Sequence, residues 1–221
     1  AAFGLACGLT IFWFERGYLQ EGIDWLERAL ELRHLASTSS IADGLKSLSA
    51  FLLFQVQPLI SKAILPWFGG CAAVWTTCML FFQLVLLLGY LYAHWITGLA
   101  PDRQVLLHAC LLALALILLP IIPSPAWKPA GGANPTLGIL GLLGVTVGVP
   151  YFLLSTTGPL VQAWYARATR GRLPYRLFAL SNFASLLALL SYPPLVEPYL
   201  ATRTQALTWS WGFGVFAVLA V

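Results

Sequence analysis

Six apolar stretches, each close to the thickness of a bilayer when coiled as a helix, follow one another along most of this chain. They cover about 45–65, 72–96, 104–122, 137–157, 175–196 and 204–221. At 1.5 Å per residue, about 20 helical residues cross the roughly 30 Å of hydrocarbon. Helix is the open-ended element that satisfies its own backbone polar groups in lipid. Composition agrees: 59% of the 221 residues are hydrophobic and only 9% are charged, against about 25% charged in soluble domains. A soluble domain and a disordered chain are both excluded. The expected fold is all-α, a polytopic bundle of about six transmembrane helices.

Charge divides the chain near residue 46. Residues 1–46 carry four bases (Arg16, Arg28, Arg33, Lys46) against six acids, a net of −2. Residues 47–221 carry eight bases against two acids, Asp102 and Glu197, a net of +6. The overall +4 therefore comes from basic loops beside membrane helices and is no sign of a nucleic-acid partner. Three units are expected: a helical hairpin over 1–35, a polar linker over 36–46 in which Ser40 or Asp43 would cap the next helix, and the membrane part over 47–221. The first 14 residues are too short to span a bilayer. Two packed helices explain 1–35 most simply, and a short membrane-inserted first helix is the alternative.

Loop charge sets the expected orientation. Arg167, Arg170, Arg172 and Arg176 cluster between the fourth and fifth segments, and Arg103 lies on the same side. Lys62, Lys128 and Arg203 spread over the other side. The positive-inside rule then puts the N-terminus and the 158–176 loop in the cytoplasm of a multi-pass inner-membrane protein. Trp67, Trp75, Trp95, Trp127 and Trp164 fall near segment ends, where interfacial aromatic belts lie.

Polar groups inside apolar stretches are the candidate site residues. Gln55, Gln57-Pro58 and Lys62 interrupt the first segment, and broken helices mark substrate sites in many transporters. The plainer alternative is interhelical hydrogen bonding by the glutamines and a Lys62 that reaches the interface. Gln83 in the second segment and Asn182 in the fifth, beside Ser181 and Ser185, read the same two ways. His94 and His108 each lie seven residues from Pro101. A helical hairpin would bring them to similar depth, where a pair of neutral imidazoles suits haem iron or a pigment, although an interfacial histidine is ordinary. Gly138, Gly141, Gly144 and Gly148 form a small-residue face that permits close helix packing or dimerisation, packing within one chain being the expected use, and Pro150 is expected to kink the helix. Four cysteines without C-x-x-C spacing read as small apolar residues. No nucleotide-binding, zinc-protease or serine-hydrolase motif occurs, and no paired carboxylates serve the membrane part. The chain is expected to be no enzyme by itself and to hold no metal or cofactor.

The runs FQVQPLISKAILPWFGG (54–70), AVWTTCMLFFQLVLLLGYLYAHW (73–95), LLSTTGPLVQAWYAR (153–167) and PYRLFALSNFASLLALLSYPPLVEP (174–198) resemble a bacterial family. In that family a module similar to half of a major-facilitator transporter is fused ahead of a spermidine-synthase-like domain. The resemblance covers about 47–221 and implies a half-facilitator-like bundle whose synthase domain would follow Val221. It implies a non-catalytic membrane module that anchors, or binds or moves a small solute such as a polyamine. The family supplies no site residues for this half. Trp13, Gly17, Tyr18, Gly22 and Ala29 resemble a single tetratricopeptide-type repeat, a departure from that family's pattern. Apart from lipid, the expected partners are other membrane subunits or further copies of the chain. The rival reading is an accessory subunit packed against a larger respiratory or photosynthetic complex.

Overall fold

The computed structural model describes residues 38–129, 134–168 and 175–220. The hairpin expected over 1–35 lies outside the described residues, as do Arg170 and Arg172 and the side chain of Arg176. All regular structure among the described residues is helical, and no strand occurs. The long helices are α1 (Thr38–Ile64), α2 (Ala72–Ile96), α3 (Pro101–Ile117), α4 (Pro135–Leu143), α5 (Val149–Ala168), α6 (Tyr175–Ser191) and α7 (Thr202–Ala220). A π turn over Gly144–Gly148 joins α4 to α5 without a break, so the described residues form six rods. Four of the described rods, Ile41–Trp67, Ala72–Ile96, Pro135–Arg167 and Phe178–Val196, are long and apolar enough to cross a membrane. The described part of the chain is all-helical, and its four long apolar rods make this a membrane protein.

Local chemistry sets the boundaries. Pro101 and Pro135 occupy first helical turns, where the missing N–H costs nothing. Asn134 caps α4 by accepting from Thr136 N at 3.0 Å. Gly69 and Gly70 turn the chain between α1 and α2 with φ of 92° and 64°, which an L side chain resists. At Pro193 and Pro194 the ladder widens into a second π turn, Tyr192–Val196.

Three expectations change. The polar stretch from Thr38 to Lys46 is the first part of α1 and not a linker; Leu45 near its end is buried and begins the face that Leu48 and Leu52 continue. Ser40 and Asp43 therefore lie inside the helix and do not start it. Pro58 does not break the first segment: α1 runs through it, the loss of one donor being absorbed in a packed helix. Residues 158–168, expected to be loop, continue α5. Leu160 and Val161 are buried and Trp164 packs on its neighbours, so tertiary contacts carry the helix past the apolar run.

The rods alternate in direction, and contacts at both ends fix this. At one end Lys62 pairs with Glu197, Lys128 lies 5.5 Å from the Trp67 ring, and Tyr192 meets Gln205. At the other end Arg167 donates to the Thr97 carbonyl, and Trp164 Nε1 donates to Gln104 Oε1 at 3.0 Å. Packing divides the rods into two triplets, α1–α2–α3 and α4/α5–α6–α7. The leading rod of each triplet packs mainly on the second and third rods of the other: α1 on α6 and α7, α5 on α2 and α3. The two leading rods also pack on each other. The triplets run in opposite directions, so exchanging them reproduces the arrangement. The core follows, with Leu52, Val56, Leu59 and Ile60 of α1 against Tyr151, Leu153 and Leu154 of α5 and Trp209 and Phe213 of α7.

Candidate functional site

Gln55 and Gln57 are two residues apart on α1, so they face nearly opposite sides of the helix. Gln57 turns to the other leading rod. Its Nε2 donates to Tyr151 Oη at 3.0 Å and, more weakly, to the Leu53 carbonyl at 3.4 Å. Tyr151 is 1% exposed and its ring lies 4.9 Å from that of Phe82. Gln57 and Tyr151 thus meet where the two triplets join, near the middle of both spans. Gln55 is buried on the side of α1 that carries Leu52 and Leu59. There Trp209 Nε1 donates to the Leu52 carbonyl at 2.9 Å. Lys62 is engaged by Glu197, with both side chains 41% exposed.

The other expected site residues are elsewhere. Gln83 and Asn182 are exposed on the outside of α2 and α6, so the five residues do not line one interior site. Ser181, beside Asn182, is buried. His94 is exposed and His108 is buried, so the two imidazoles lie in different environments. The ring of His108 stacks 6.2 Å from Tyr92, and neither His108 Nδ1 nor Tyr92 Oη has a hydrogen-bond partner among the described residues. No group of three or more metal-ligating side chains occurs among the described residues. Cys78 is buried, whereas Cys71 and Cys110 are exposed.

The glycine face packs differently from its expectation. A Cβ on Gly138 would lie 3.3 Å from the Phe68 ring, and one on Gly141 would lie 2.9 Å from the Trp127 ring. These two glycines admit aromatic side chains from the connecting segments. Gly144 has open space and Gly148 only ordinary contacts. The close helix–helix approach is at Gly89, whose Cβ would overlap Ser155. Arg167, expected as a topology signal, also caps α2 by donating to the Thr97 carbonyl, a favourable place for a cation.

Sequence reading missed Gln104 and Gln205. Each is the fourth residue of the third rod in its triplet. Each bonds back to a carbonyl five residues earlier, Gln104 to Leu99 at 2.7 Å and Gln205 to Leu200 at 2.8 Å. Each also accepts from an aromatic donor of another rod, Trp164 Nε1 at 3.0 Å and Tyr192 Oη at 3.1 Å. The shared position after the helix start was the available signal. Among the described residues one cation is buried: Lys46, 5% exposed, lies 4.0 Å from the Phe178 ring centroid and its Nζ has no hydrogen-bond partner there.

Fold and site define a class, the polytopic helical membrane protein whose interior polar groups tie rods together. No family model matches the chain, and neither does any curated protein or solved structure.

Proposed function

We propose that this chain is a non-catalytic membrane module built like half of a facilitator-type transporter, and that it anchors a longer protein of the facilitator-like and spermidine-synthase-like fused class. The observation that carries the reading is the exchange of triplets. Two oppositely running sets of three rods, each leading rod packed on the other set, match the inverted repeats nested in such halves. Anchoring is favoured because three interior polar side chains are spent on joining rods, Gln57 to Tyr151, Trp209 to Leu52 and Gln104 to Trp164. A polyamine would need anionic partners. Only Asp102 and Glu197 follow residue 46, and Glu197 is held by Lys62. The loop arginines favour an inner-membrane orientation with the N-terminus and the 158–176 region cytoplasmic.

One observation favours a second reading, a small-solute site. The Gln57–Tyr151 contact sits at mid-depth between the triplets, where the solute sites of inverted-repeat transporters lie. Reconstitution decides between the two. For an anchor, the protein stays in the membrane through alkaline carbonate extraction, and liposomes containing it show no counterflow of labelled spermidine or other amines. Release by carbonate overturns both readings. Counterflow that is lost in Gln57→Leu overturns the anchor and establishes the site.

A further inference from the structure

One polar side chain lies where lipid cannot satisfy it. Trp75 and Trp95 on α2 are both exposed and are separated by twenty positions, or about 30 Å of helix, which is the thickness of the hydrocarbon layer. Tryptophans at that separation mark the two interfaces. Gln83 then lies about 12 Å from one interface and about 18 Å from the other, beyond the reach of its own side chain. It is exposed and makes no side-chain hydrogen bond with the described residues. Asn182 differs: it is four residues from the start of its span at Phe178, about 6 Å, close enough for its amide to reach the headgroup region.

Gln83 is part of a seam. Thr76, Leu80, Gln83, Leu87, Tyr90 and His94 are all exposed and alternate in steps of four and three. That is the spacing with which two membrane helices cross at a small left-handed angle. The seam carries no carboxylate, lysine or arginine. Its Gln amide and Tyr hydroxyl each both donate and accept, so each is complementary to itself. Copies inserted the same way are related by a two-fold axis along the membrane normal, which sets every residue opposite its own counterpart at equal depth. Acyl chains offer Gln83 nothing, and an unrelated helix would need a matching group at the same depth.

We propose that α2 is the interface of a parallel homodimer, in which the Gln83 amides of two copies hydrogen-bond to each other at mid-membrane. The proposal depends on the rods lying in a bilayer and not on the anchor or solute role.

Cross-linking in native membranes tests it, using the full chain with Cys7, Cys71, Cys78 and Cys110 replaced by alanine. Leu80→Cys and Leu87→Cys are expected to give an oxidised product of twice the chain mass. Leu186→Cys and Leu190→Cys, equally exposed on α6, are expected to give none. Adding Gln83→Leu, an outward-facing change that leaves the fold alone, is expected to weaken association in liposomes by roughly 3- to 30-fold, read by energy transfer between labelled copies. Three results overturn the proposal: no product at 80 and 87, or as much at 186 and 190; a product of another mass, meaning a different partner; and association unchanged by Gln83→Leu.

Discussion

Gly89→Ala tests the closest contact between the triplets. A Cβ added at Gly89 of α2 would overlap Ser155 Oγ, lie 2.9 Å from Ser155 Cβ and lie 3.3 Å from the Phe152 carbonyl of α5. The hydroxyl can rotate away, although it then gives up its 2.6 Å bond to that carbonyl. The Cβ–Cβ contact has no such escape. Carbon atoms settle about 3.5–4.0 Å apart, so α2 and α5 must separate by roughly 0.6–1 Å. Overpacking of this kind costs about 1–3 kcal/mol, while replacing a helical glycine with alanine returns about 1 kcal/mol. The net expectation is a loss of about 1 kcal/mol. In a Ser155→Gly background the carbon–carbon clash is gone and the 3.3 Å approach to the Phe152 carbonyl asks for a shift of only a few tenths of an ångström, so the same substitution becomes stabilising, by less than about 1 kcal/mol. The sign reversal is the diagnostic result, and the coupling is about 1–3 kcal/mol. Reversible unfolding in mixed micelles, run as a double-mutant cycle, measures it. If Gly89→Ala has the same sign in both backgrounds, the helices are not in contact at this point.

Three further outcomes follow from the same packing. Gln57→Leu leaves the Tyr151 hydroxyl, 1% exposed, without its partner and costs about 1–3 kcal/mol; adding Tyr151→Phe recovers much of the loss, as unfolding curves of the single and double variants will show. Trp209→Phe removes the bond to the Leu52 carbonyl and lowers stability by about 1 kcal/mol, whereas Trp209→Ala also empties a core position and costs about 3–5 kcal/mol. The Lys62–Glu197 pair, with both side chains 41% exposed, couples by less than about 1 kcal/mol in a Lys62→Ala and Glu197→Ala cycle, and the coupling shrinks in high salt.

The fold class and nearly every rod are legible in the apolar runs alone. The 72–96 stretch is helical over just those residues, and the 175–196 stretch matches α6 plus its π turn. Apolar length suffices for this, because a backbone in lipid has few alternatives to helix. The sequence fell short where tertiary contacts lengthen a helix past its apolar run, as at Thr38–Lys46 and Gly158–Ala168. It also could not decide which face of each rod turns inward. A soluble helix shows its buried side as an apolar stripe. In a bilayer the lipid-facing side is as apolar as the core, so α2 and α6 look greasy all round and the placement of Gln83 and Asn182 is not legible. Only the assembled rods put Gln57 against Tyr151, put Gln83 on the outside, and made Gly89 rather than the Gly138–Gly148 face the point of closest helix approach. Hydrophobicity selects which segments enter the membrane, whereas shape and hydrogen bonding between segments choose their neighbours, and those depend on atoms far apart in the chain.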